Sequence, residues 1–234
     1  MARADDGRLL EIEARFVRVN EKQARKAFGE MNSRNLAGVG FTPDQYAKAL
    51  RTLSALKADF FSNPSVVTKS GQHAKVEIVR ELRYPTEFDA SKDEPGKFVP
   101  TAFETRNVGV TLEVQGTIVE DQIDLSIEPK VVSFLGFIDY ARHNRTAQVS
   151  GLHPMAELLK RSLTEGGIWQ PIFSTQKVTA SVRVTSGQTI LLGGMSLDPA
   201  VKEADANSSR TFVFIQARIL PMTGAASPPG PASP

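Results

Sequence analysis

The sequence predicts a mainly β chain with a few helices. Three observations predict it. Apolar and polar residues alternate in the runs 9–19, 108–114, 123–127 and 210–220, the period of a half-buried strand. Ser70-Gly71 and Ser186-Gly187 stand between apolar runs as turns. Only a few short stretches repeat apolar residues at three and four positions, as a helix does. At 234 residues the chain fits one large β-rich domain or two small ones.

Taken in order, residues 1–7 are polar and acidic and read as a disordered start. In 9–19, Leu10, Ile12, Ala14 and Phe16 share one face and Glu11, Glu13 and Arg15 the other, with the register blurring at Val17. Residues 21–31 look helical, and 32–40 read as a loop. Thr42 is then an N-cap, Pro43 the first helical residue, and Gln45 completes a capping box flanked by Phe41 and Tyr46. Tyr46, Ala49, Leu50, Leu53 and Leu56 form one buried stripe, and Asn63-Pro64 ends the segment.

From Ser65 the period is two. Val66-Val67, the Ser70-Gly71 turn, and Ala74, Val76 and Ile78 predict a hairpin. Residues 86–105 carry two prolines, a glycine and mixed charge, and read as a long excursion between strands. Two alternating strands follow, and Pro129 after the second points to a strand end or a bulge. Residues 134–169 are a second excursion, with a short helical stretch at 154–163. Residues 178–192 predict another hairpin, 198–209 a polar connection, and 210–220 the last strand, with Val213, Ile215, Ala217 and Ile219 opposite Phe212 and Phe214. Residues 221–234 are a disordered Pro/Ala/Ser tail. No internal repeat is legible.

Composition narrows the chemistry. The net charge of +2 does not point to a nucleic-acid partner. With no cysteine, disulfides, zinc-thiolate sites and thiol nucleophiles are excluded. No apolar run is long enough for a spanning helix, which leaves strand-based spans open. Residues 1–7 lack the apolar core of a signal peptide, so a protein working outside the cytoplasm would be represented here by a fragment, engineered or natural, or by a truncated reading frame. His73, His143 and His153 have no partners at metal spacing. Glu11 with Glu13, and Asp121 near Asp124, imitate paired carboxylates, but alternate strand residues share a face, so Glu11 and Glu13 read as a solvated or lumen-facing row, and nothing supplies a pocket. Gly193-Gly194 has no lysine at phosphate-loop spacing and reads as a strand break. The expectation is no enzyme, no cofactor and no metal site.

Several motifs, in order, resemble one family over about residues 9–220. They are Ser62-Asn63-Pro64, Gly71-Gln72-His73-Ala74, Val108-Gly109-Val110-Thr111-Leu112, and Ser186-Gly187-Gln188-Thr189-Ile190-Leu191-Leu192-Gly193-Gly194-Met195, closed by the last strand. The family is the secretins of bacterial secretion systems and type IV pili. Tyr84-Pro85-Thr86-Glu87-Phe88 and Pro100-Thr101-Ala102-Phe103-Glu104 look like secretins of the Verrucomicrobia and Planctomycetes type.

The resemblance implies a secretin-type β-barrel core, each subunit supplying strands to a shared, multimeric, double-walled barrel. Residues 8–61 would be the strand-helix part and 62–220 the barrel core. Residues 86–105 would be the gate excursion, with Glu87, Asp89, Lys92, Asp93 and Glu94 exposed to the lumen and Gly96 its flexible point. Residues 134–169 would be the lip that meets lipid. Gly109, Gly187, Gly193 and Gly194 would serve strand geometry. Expected partners are further copies of the chain, secreted protein or pilus cargo, and outer-membrane lipid, with no nucleic acid. Between Met195 and Arg210 a polar loop replaces a segment that packs on the barrel in the family, and periplasmic domains are missing. These departures raise the alternative of a degenerate, soluble secretin-like β-domain acting as a scaffold or adaptor in a secretion or pilus assembly.

Overall fold

A computed structural model describes residues 7–29, 38–139, 168–196 and 209–221. Eleven strands and two helices are assigned among them: β1 (Leu9–Asn20), α1 (Glu21–Phe28), β2 (Val39–Phe41), α2 (Pro43–Ala55), β3 (Asp59–Ser62), β4 (Ser65–Lys69), β5 (His73–Ala90), β6 (Phe98–Val119), β7 (Gln122–Asp139), β8 (Trp169–Lys177), β9 (Ala180–Thr185), β10 (Thr189–Ser196) and β11 (Ser209–Ile219). The helical stretch 154–163, most of the lip excursion, the polar connection and the tail lie outside the described residues.

The strands form two antiparallel sheets. The first runs β2-β10-β11-β1-β3, with β4 also on β1; the second runs β5-β6-β7-β8, with β9 also on β7. Alternation decides which side chains meet between them. Leu10, Ile12, Ala14 and Phe16 of β1 and Val213, Ile215 and Ala217 of β11 face Val110, Leu112 and Val114 of β6 and Ile123, Leu125 and Ile127 of β7. Full burial of each Leu or Ile contributes about 1.5–3 kcal/mol.

The first sheet buries its other face as well, under the helices. Val17, Val19, Leu191, Phe212 and Phe214 pack with Ala24 and Phe28 of α1 and Ala49 and Leu53 of α2. This explains the blurred register at Val17. A bulge against β3 falls between Phe16 and Val17; up to it the buried face of β1 meets the second sheet, and beyond it Val17 and Val19 are buried under the helices while Arg18 and Asn20 are half-exposed. Both helices start on complete capping boxes, Asn20 with Gln23 and Thr42 with Gln45. The second ends at Ala55, before the expected Asn63-Pro64 stop. Lys57 turns the chain at a φ of 54°, and β3 takes up the residues between.

Two expected hairpins are corrected. β4 pairs with β1 while β5 pairs with β6. Likewise β9 pairs with β7 while β10 pairs with β11. The Ser70-Gly71 and Ser186-Gly187 turns therefore carry the chain from one sheet to the other. A tight turn looks the same in sequence whether its arms pair or part. The Gly193-Gly194 pair is no strand end either. β10 continues to Ser196 with a register shift between Gly193 and Met195, and Gly193 stands over the Phe212 ring.

Candidate functional site: a long ribbon and four open edges

Residues 86–105 are mostly paired strand rather than loop. The β5–β6 ladder runs from His73↔Gln115 to Ala90↔Phe98, with register shifts at Pro85/Glu87 and Glu87/Phe88. The β6–β7 ladder stops at Gly109↔Val132. Above that point β5 and β6 continue as a two-stranded ribbon. The eleven steps from Gly109 down to Phe98 correspond to about 36 Å of strand. Gly109 has a φ of 142°, and a Cβ there would fall on the Ile78 carbonyl oxygen. Only glycine fits where β6 leaves β7. Pro85 and Pro100 lie within this ribbon, where each strand pairs on one side only and a missing N–H costs no ladder bond.

The tip gathers most of the expected gate residues. The Ser91 N–H donates to the Lys97 carbonyl at 2.8 Å and the Lys97 N–H to the Glu94 carbonyl at 3.1 Å. The Ser91 hydroxyl accepts from the Glu94 N–H at 3.2 Å, and Lys97 pairs with the Glu94 carboxylate. Lys92, Asp93, Glu94 and Gly96 share this turn, with Gly96 at a φ of 84°. Glu87 and Asp89 are exposed on the adjoining end of β5. Four carboxylates against two ammonium groups give the 86–97 segment a negative end.

At its base the ribbon leans on β7 and β8. The Tyr84 and Phe173 rings are 5.6 Å apart, and Phe173 lies 5.9 Å from Phe134. The Arg106 guanidinium lies 4.5 Å over the Phe173 ring, and Arg83 lies 4.7 Å over Phe103. Gln170 donates from Nε2 to the Pro85 carbonyl at 3.3 Å. Partial desolvation, then the Glu104 carboxylate, raises the Tyr84 pKa.

Sequence reading missed the charge ladder on the outer face of the second sheet. Lys75 pairs with Glu77 at 3.0 Å and with Glu113 at 3.6 Å. Lys177 pairs with Glu128 at 2.6 Å, and Arg183 holds Asp124 at 2.8 Å. Hydrogen bonds from these cations lower the pKa of Glu77, Glu128 and Asp124. The signal was present as polar positions alternating along each strand. The partners are as much as 59 residues apart, so no local window joins them. On the first sheet, Glu11 and Glu13 are held by Arg218 at 3.7 Å and Arg15 at 3.1 Å, which accounts for their expected solvated row. Among the described residues no group of three or more His, Asp or Glu could hold a metal ion.

Each sheet is open on both sides among the described residues. The first ends on β2 and on β3 with β4; the second ends on β5 and on β8 with β9. These contacts define a two-layer antiparallel β-protein with a projecting ribbon. A family model described as "Secretin: Bacterial type II and III secretion system protein" matches residues 53–206, and the chain belongs to the secretin family. It is similar to the secretin ExeD of Aeromonas hydrophila, 28% identical over 171 residues, which is 72% of this chain and 21% of that protein. It is also similar to the secretin PulD of Klebsiella pneumoniae, 27% identical over 175 residues, 74% of this chain and 22% of that one. The chain thus spans about a fifth of the length of these relatives. Among solved structures, the type II secretin GspD of enteropathogenic Escherichia coli aligns with 92% of this chain and 70% of its own, at 15% identity and a TM-score of 0.46.

Proposed function

We propose that this chain is the barrel core of a gated channel subunit in a bacterial outer membrane, serving protein secretion or passage of a type IV pilus. Copies join head to tail into a homo-oligomeric ring with two concentric walls. One observation carries the reading: two stacked sheets, each open at both sides among the described residues. Unpaired edge N–H and C=O groups need partners. A neighbour placed by the same rotation supplies them to both sheets at once, and a rotation that closes leaves no edge. In lipid only a closed barrel satisfies every strand edge.

In this reading residues 86–105 are the gate and residues 134–169 the lip at the membrane. Glu87, Asp89, Lys92, Asp93 and Glu94 face the lumen, and Gly96 gives the tip its turn. Gly109, Gly187, Gly193 and Gly194 keep strand geometry. The chain makes and breaks no bonds. Cargo displaces the inward ribbons and passes. Partners are further copies of the chain, the cargo, and outer-membrane lipid.

Electron microscopy and sizing of the full-length gene product, extracted from membranes in detergent, test this. Ring-shaped particles are expected. A soluble monomer in plain buffer overturns the channel reading and favours the adaptor.

A further inference from the structure

The two corners at Ser70-Gly71-Gln72 and Ser186-Gly187-Gln188 make the same four hydrogen bonds. The serine hydroxyls accept from the Ile118 N–H at 3.0 Å and from the Ile219 N–H at 3.0 Å. The glycine N–H groups donate to the Gly116 carbonyl at 2.7 Å and the Ala217 carbonyl at 2.8 Å. Gln72 and Gln188 donate their N–H to the Lys69 and Thr185 carbonyls at 3.1 and 3.0 Å. Finally, Gln115 and Gln216 donate from Nε2 to the Gly71 and Gly187 carbonyls at 2.9 and 2.8 Å.

The equivalence extends through the ladders. His73 pairs with Gln115 as Thr189 pairs with Gln216. β4 lies on β1 as β9 lies on β7, and β6 lies on β7 as β11 lies on β1. Strands β1, β4, β5 and β6 therefore match β7, β9, β10 and β11. The match swaps the two sheets and keeps strand direction, so it is a pseudo-twofold along the strands. Both corners sit at the same end of the sandwich. One crosses from the first sheet to the second, the other crosses back.

We infer that the chain is internally duplicated and that the two corners are equivalent latches, each fixing one crossing between the sheets. This corrects the absence of a repeat in the sequence reading, where little beyond Ser-Gly-Gln and one Gln-x-x-Ile is shared. The inference stands independently of the channel reading, because it concerns contacts within one chain. The duplication also makes a geometric prediction. In one half, β6 joins β7 through the two residues Glu120 and Asp121, between Val119 and Gln122. At the equivalent place, the Leu220 N–H already donates to the Leu9 carbonyl at 2.9 Å, and those residues are the ends of the described sandwich.

Hydrogen exchange on the full chain tests the latches. Ser70→Ala should speed exchange at the Ile118 amide about tenfold, and Ser186→Ala at the Ile219 amide about tenfold, each leaving the other corner unchanged. Core amides such as Leu112 should change less than either. If one serine governs both corners, or if core amides accelerate as much as the corner amide, the latches are not equivalent local devices and the inference fails. A circular permutant tests the duplication separately. It would link Leu220 to Arg8 through one residue, keeping the Arg8 carbonyl that accepts from the Ser70 N–H at 3.1 Å, and open the chain between Glu120 and Asp121. Native circular dichroism supports the pseudo-twofold, and an unfolded permutant overturns it.

Discussion

Substituting Gly193→Ala adds one methyl group against Phe212, in the core between the first sheet and the helices. The new Cβ would stand 2.8 Å from the Phe212 Cγ and 3.0 Å from the Phe212 Cα. Neither atom has room to move away. Phe212 is fully buried, and its ring lies 5.3 Å from that of Phe28 under α1. Overpacking in well-filled cores costs about 1–3 kcal/mol. Because one obstructing atom is backbone, the expected cost is about 2–3 kcal/mol, the upper part of that range. With a urea dependence of about 2 kcal/mol per molar, the unfolding midpoint falls by about 1 M. Far-UV circular dichroism against urea measures it. Phe212→Leu trims the ring, so the double variant should lose less stability than the two single losses combined, by about 1 kcal/mol of coupling. An unchanged midpoint in Gly193→Ala, or strict additivity in the double variant, would refute the steric argument.

Leu112→Ala removes a fully buried side chain between the sheets, and should cost about 2–5 kcal/mol in the same assay. Thr42→Ala removes the hydroxyl that accepts from the Gln45 N–H at 3.3 Å; a loss of about 1 kcal/mol is expected, seen as a lower thermal midpoint. Glu77, Glu128 and Asp124 have lowered folded pKa values because Lys75, Lys177 and Arg183 bond to them. Their stabilisation is therefore present above the ordinary values of 4.5 for Glu and 3.8 for Asp, and is lost as pH falls through the lowered folded ones. Thermal midpoints recorded between pH 6 and about pH 2 should drop on the acid side, and Lys177→Ala with Arg183→Ala should flatten that drop.

What the sequence made legible was local. The strands at Leu10, Val110, Ile123 and Val213 alternate because one sheet face meets the other sheet and the opposite face meets solvent or helices. The second helix announced itself through Thr42, Pro43 and Gln45, all within four residues. The ribbon at 86–105 was harder to read as strand because it lies beyond the sandwich. Val99 and Phe103 are exposed there, so no buried face imposes alternation, and Pro85 and Pro100 argue against an interior strand. The sheet crossings were illegible for a different reason. Val184 and Ile190 both face the common core, one from each sheet, so the arms of the Ser186-Gly187 turn look like two sides of one hairpin. The carboxylates expected at the gate could be named from position, but the Ser91 to Lys97 turn beside them is made largely of backbone bonds that residue identity does not announce. The duplication stayed hidden because its evidence is one set of hydrogen bonds made twice, most of them between residues 29 to 48 apart in sequence, with only scattered identities to mark it.

The departure of β6 from β7 at Gly109 turns the ribbon into a lever. Its arm is about 36 Å, so a tilt of about 20° at that single residue would carry the acidic end through an arc of about 13 Å. Movement on that scale would need no rupture of the β5–β6 rungs and no repacking of Leu112 or Leu125. It would require torsion at a position where a side chain would jam against the Ile78 carbonyl, together with release of the contacts that Tyr84, Arg106 and Pro85 make with Phe173 and Gln170 of β8.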